Sequence, residues 1–156
     1  MAETWQIHPD GPQRPLPALL GDVKELIIEE MYRRLPELGH AELRPGQCAV
    51  IRFMTPEGVR LTELAEKIGL TKQAVGEVVS DLERMGYVKR APDPLDGRAK
   101  IIQLTDLGWS GAEAAQEIFA DVERAWTEQL GEERIRGLRA TLEAVLALER
   151  GATRAA

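Results

Sequence analysis

The apolar positions of this chain fall mostly at helical spacing, with one alternating stretch between them. Leu16, Leu19, Leu20, Val23, Leu26, Ile27, Met31, Leu35 and Leu38 form a stripe wider than one face needs, which predicts a helix over 16–38 buried on two sides. Pro36 interrupts it near its end. A second helix is expected from Pro45 to Met54, with proline in the first turn and Thr55-Pro56-Glu57-Gly58 as the turn out. Leu61, Leu64, Ala65 and Ile68 mark one face of a short third helix, which Gly69 ends. Thr71 is placed to cap a fourth, whose inner face is Val75, Val78, Val79, Leu82 and Met85 and which Gly86 closes.

The period then changes. Tyr87-Val88-Lys89-Arg90 reads as a short strand, stopped by Pro92 and Pro94. Asp96-Gly97 is the expected hairpin turn, and Lys100 to Leu104 the returning strand. Thr105 or Asp106 caps a long helix with Gly108 and Gly111 early in it, and Gly131 breaks it. A last helix carries Ile135, Leu138, Leu142 and Val145 on a heptad-like seam. The fold class is mainly α with a small β-hairpin wing.

Two short helices around a tight turn, followed by a hairpin, form a winged helix-turn-helix. The polar face of the 71–85 helix carries Thr71, Lys72, Gln73, Gly76, Glu77 and Ser80. An exposed helix backed by a sister helix has the geometry that enters a DNA major groove. An ordinary helical hairpin with a solvated face would read the same way up to residue 86. The hairpin separates the two, because Arg98 sits near its tip and a long cation there can reach a narrow groove.

Leu61 to Gly108 resembles the DNA-binding domain of the multiple-antibiotic-resistance regulator (MarR) family. The most specific part is Asp96-Gly97-Arg98-Ala99-Lys100-Ile101-Ile102-Gln103-Leu104-Thr105, similar to that family's wing signature. The resemblance implies a homodimeric, sequence-specific DNA-binding transcriptional regulator, more often a repressor, acting on double-stranded DNA at an inverted repeat. It implies an organisation into an arm and dimerisation helix (1–38), a winged helix-turn-helix (39–105) and C-terminal dimerisation helices (106–156). Thr71 and Lys72 would meet phosphate, Gln73, Gly76 and Glu77 base edges, Arg98 the minor groove, and Lys100 phosphate, with Asp96 bracing the wing. Gly76 and Glu77 depart from the hydroxyl or cationic residues expected there. One explanation is close backbone approach at Gly76, with Glu77 rejecting wrong sequences. The family also implies a small aromatic effector, for which Met31, Cys48, Ile51, Arg52 and Trp109 are the candidate lining.

Composition narrows the alternatives. The chain has 156 residues and 44% hydrophobic content, enough to bury a core. No long apolar run or basic-then-apolar N-terminus is present, so the expected location is cytoplasmic, away from membranes. The arm of residues 1–15 holds three prolines, with Trp5 and Ile7 free to tuck against a neighbour. A net charge of −6 is unusual for a DNA binder, but residues 60–104 carry 8 Lys/Arg against 7 Asp/Glu and are the least acidic part. The acidic balance and Glu77 keep a rival open: a winged helix that binds only protein. The sequence has no phosphate-binding glycine loop and no paired nucleophile and base, and neither His8 nor His40 has a partner at metal-ligand spacing, so no enzyme, metal or cofactor is expected. Cys48, the single cysteine, reads as a small buried hydrophobe; an oxidant-sensing thiol is the alternative.

Overall fold

A computed structural model describes residues 14–154 of the chain. Helix α1 spans Leu16–Arg34, α2 Pro45–Ile51, α3 Leu61–Ile68, α4 Lys72–Arg84, α5 Asp106–Leu130 and α6 Glu132–Arg154. Strands β1 (Val59–Arg60), β2 (Val88–Asp93) and β3 (Asp96–Leu104) form one antiparallel sheet in the order β1-β3-β2. The chain divides into two compact units, the first ending at Gln116 and the second beginning at Glu117.

Local rules account for most boundaries in the first unit. Gly69 adopts φ 75° and bonds its N–H to the Ala65 carbonyl, the left-handed cap that lets α3 turn sharply into α4. The Thr71 hydroxyl oxygen accepts from the Ala74 amide at 3.2 Å, satisfying a free donor at the start of α4. Leu64, Val75, Val79 and Leu82 are fully buried, with Val50, Val59, Ile101 and Ile102 also in the core. Each such side chain contributes roughly 1.5–3 kcal/mol by leaving water. Val78 and Met85, expected on this inner face, are only half-buried.

The structure corrects several expectations. Helix α1 ends at Arg34 rather than residue 38, because Pro36 has no N–H to continue the ladder. The chain then turns back, with the His40 amide on the Leu35 carbonyl at 2.8 Å. Helix α2 ends at Ile51 rather than Met54, since the Phe53 and Met54 amides bond three residues back and tighten into a turn. Strand β1 was not expected; it pairs Val59 with Ile102 and Arg60 with Ile101.

The wing differs most. Pro92 does not stop β2 but lies within it, opposite Lys100. Strand β2 is an edge strand, where a residue without N–H is tolerated. The turn is Pro94-Leu95, not Asp96-Gly97, because Asp93 and Asp96 are themselves paired. Pro94 fixes the φ a turn needs at that position, and an Asp93 carboxylate oxygen accepts from the Leu95 amide at 2.8 Å. Gly97 stays outside the positive-φ region that an Asp-Gly turn would require.

Helix α1 was expected to be buried on two sides. Within one chain Leu16, Leu19, Leu20, Val23 and Leu26 are all exposed, and Met31 alone is buried. Among the described residues nothing covers that face, so its apolar width demands burial that these residues do not supply.

In the second unit, Gly131 takes φ 91° between the end of α5 and the start of α6. Arg139 of α6 pairs with Glu123 of α5. In the predicted seam Leu138 and Val145 are exposed and Ile135 and Leu142 half-buried, and Leu146 and Leu148 beside it are exposed, so the seam is partly open within one chain.

Candidate nucleic-acid interface

Helix α4 presents one polar face. Thr71, Lys72, Gln73, Glu77 and Ser80 are exposed and Gly76 is half-buried. Gln73 Nε2 donates to Glu77 Oε1 at 3.4 Å, so the acidic side chain is partly engaged along its own helix. Ser80 Oγ donates to the Gly76 carbonyl at 2.8 Å and accepts from Arg90 at 3.2 Å. Arg90 also donates to Glu83 at 3.0 Å, which ties β2 to α4. Ser80 is therefore partly committed to internal bonds, and Arg90, which the sequence did not single out, links helix and wing. A methyl added at Gly76 would meet only Leu61 Cδ2, at an ordinary 3.7 Å. The fold itself has room for alanine there, although glycine costs helix stability by about 1 kcal/mol.

In the wing, Asp96, Arg98 and Lys100 are all exposed. An Asp96 carboxylate oxygen accepts from the Arg98 amide at 3.1 Å. A second, ionic brace is made by Asp93. Arg60 of β1 donates to Asp93 through Nε at 2.6 Å and Nη2 at 2.5 Å, and Asp93 is 6% exposed. The Leu95 amide and then the Arg60 guanidinium hold the Asp93 carboxyl below its ordinary range. The pair joins residues 33 apart across the sheet, and β1 is too short to reveal itself by alternation. The sequence offered no local signal for it.

The five candidate pocket residues occupy different environments. Met31 and Ile51 are buried, Cys48 is half-buried, and Arg52 and Trp109 are exposed. The Arg52 guanidinium sits 4.9 Å over the Phe53 ring. Burial pushes the Cys48 thiol up to about 11. The thiolate is the nucleophile, so little of it exists at neutral pH. Iodoacetamide at pH 7.5 is expected to leave Cys48 unlabelled over a time that fully alkylates the urea-unfolded chain. Labelling of the native protein as fast as the unfolded one would overturn this assignment.

Residues 42–99 match the model of the MarR family, a stretch that contains α2, α3, α4, β1, β2 and the first part of β3. Over that stretch the chain is similar to the MarR family. The uncharacterised HTH-type transcriptional regulator YdcH of Bacillus subtilis is 24% identical over 124 residues, covering 78% of this chain and 84% of that protein. CouR from Rhodococcus jostii RHA1, solved with p-coumaroyl-CoA, is 25% identical with a TM-score of 0.66, covering 83% of this chain and 90% of that one. The MepR–DNA complex of S. aureus shares the fold at a TM-score of 0.69 and 22% identity, covering 86% of this chain and 98% of that one. The wing signature at 96–105 had pointed to the MarR family, which is one of transcriptional regulators. Among the described residues, no helix is long and apolar enough to cross a membrane.

Proposed function

We propose that this chain is a homodimeric, sequence-specific repressor of the MarR family that binds an inverted-repeat operator and is released by a small aromatic effector. The observation that carries the reading is the exposed polar face of α4 standing beside a braced wing that exposes Arg98 and Lys100. Residues 39–105 then hold the DNA-reading parts, with residues 1–38 and 106–156 given to dimerisation. The exposed leucines of α1 and the partly open seam of α6 support that division, since both need a partner. In a two-fold dimer the two α4 helices enter successive major grooves about one DNA turn apart. Thr71 and Lys72 meet phosphate at the α4 N-terminus, where unpaired N–H groups and the dipole favour anions. Gln73 suits adenine and Glu77 the cytosine amino group. Gly76 lets the helix come close to the duplex. CouR, with its bound p-coumaroyl-CoA, supports a ligand-responsive regulator. An effector acts by favouring the dimer conformation that does not fit DNA.

Fluorescence anisotropy with the DNA upstream of the protein's own gene tests the reading, at two salt concentrations. Tight binding that weakens steeply with salt is expected. Arg98→Ala should weaken it about tenfold and flatten the salt dependence. If neither this DNA nor any duplex selected from a random pool is preferred over scrambled sequence, the reading falls to the protein-binding rival.

A further inference from the structure

The outermost point of the wing is an apolar side chain. Leu95 is 94% exposed, more than any other large hydrophobic residue among the described residues. It stands in the two-residue turn between the paired residues Asp93 and Asp96, so no protein lies beyond it along the hairpin. The turn is held on both sides. Pro94 restricts its backbone, the Leu95 amide is bonded to the Asp93 carboxylate at 2.8 Å, and Asp93 is anchored to Arg60.

Two aspartates beside a DNA-facing tip would ordinarily repel phosphate. Here Asp93 is buried against Arg60, and Asp96 turns an oxygen onto the Arg98 amide at 3.1 Å. The tip therefore projects the leucine beside one exposed carboxylate, Asp96, with Arg98 and Lys100 behind them on the same hairpin.

We infer that Leu95 is a specificity-determining residue that reads the minor groove by excluding guanine. This rests on the DNA-binding reading above and deepens it. In the minor groove A·T pairs show only acceptors, whereas G·C adds the guanine 2-amino donor at the groove floor. Leucine has no acceptor for that donor. Seating it there strips water from the amino group and leaves it unpaired, a penalty that A·T pairs do not incur. Apolar side chains inserted in the minor groove are a general means of contact there. Arg98 contributes differently, through charge and groove width. The two residues are thus separable by chemistry.

Inosine makes the test. An inosine·cytosine pair has the major groove of G·C and lacks the 2-amino group in the minor groove. Wild-type protein first selects an operator from a random duplex pool, and hydroxyl-radical footprinting marks the minor-groove positions protected outside each half-site. Those positions are then made A·T, G·C or inosine·C, and affinity is measured for wild type, Leu95→Asn and Arg98→Ala. Wild type is expected to bind A·T and inosine·C equally and G·C about fivefold more weakly. Leu95→Asn, which supplies an acceptor of similar size, should bring the three within about twofold of one another. Arg98→Ala should weaken all three and keep their order. Selected operators with G·C at those positions, equal wild-type binding to the three duplexes, or an unchanged order in Leu95→Asn would each overturn the inference while leaving DNA binding intact. A pool that yields no enriched duplex would overturn both.

Discussion

Gly108→Ala is expected to destabilise the protein by about 3 kcal/mol, at the upper end for overpacking a filled site. Gly108 lies in the first turn of α5, buried against the start of the wing. An added Cβ would stand 2.1 Å from the Tyr87 carbonyl oxygen and 2.9 Å from Leu104 Cδ2. The leucine could change rotamer. The carbonyl cannot, because it already accepts from the Thr105 amide at 3.0 Å and the Thr105 hydroxyl at 3.2 Å. Those bonds fix the start of α5 to the entrance of β2, and the same Thr105 oxygen accepts from the Gly108 amide at 3.1 Å. Relieving the clash therefore breaks the cap or moves the helix. The gain in helix propensity, about 1 kcal/mol, offsets only part of this. Gly111, one turn on, is the gentler case: its Cβ would meet side-chain carbons of Tyr87 and Leu43 at 3.1 and 3.2 Å, which can give way. Urea unfolding followed by circular dichroism measures the effect as a fall in the midpoint at unchanged slope. A midpoint equal to wild type would show that α5 and Tyr87 do not meet as described.

Much of this arrangement was legible because its causes are local. Thr71 and Thr105 cap the helices that follow them, and Gly69 and Gly131 end the ones before, each through bonds to residues three or four away. The same locality misled the reading of the wing. Asp96-Gly97 is a strong turn pair in isolation, yet Asp93-Pro94-Leu95 supplies both a fixed φ and a side-chain bond to the turn amide, and that combination sets the register. Pro92 looked like a stop because sequence does not say which strand will lie at an edge. The surface residues of α4 and the wing were named from spacing and family resemblance, and the structure exposes Thr71, Lys72, Gln73, Glu77, Ser80, Asp96, Arg98 and Lys100. What supports them was hidden. Arg60 with Asp93, and Arg90 with Ser80 and Glu83, are partnerships across elements whose alignment only the folded sheet decides. The wide stripe of α1 was read as a demand for burial, and one chain's described residues leave it exposed, since periodicity reports the demand and not its source.

His40→Ala is expected to cost about 3 kcal/mol, combining an imidazole-sized cavity with the loss of one buried and one part-buried hydrogen bond. His40 sits between α1 and α2 and is 2% exposed. Its Nδ1 lies 2.9 Å from the Tyr87 hydroxyl and its Nε2 3.2 Å from the Ser110 hydroxyl. A neutral imidazole offers one donor and one acceptor, and each hydroxyl can answer either, so the network is satisfied in both tautomers. Burial pushes the Tyr87 phenol up from its ordinary range, which keeps its proton in place through neutral pH. The network thus joins three places: the loop after α1, the entrance to β2, and α5. Tyr87→Phe removes a single hydroxyl and keeps the ring that packs 5.7 Å from the imidazole, so its cost should be smaller, about 1–2 kcal/mol. Because the two side chains share a bond, the double variant should lose less than the sum of the single losses, by about 1 kcal/mol. Denaturation of the four proteins closes that cycle. Strict additivity would mean that the imidazole and the phenol act separately, and that the loop after α1 is not coupled to the wing through them.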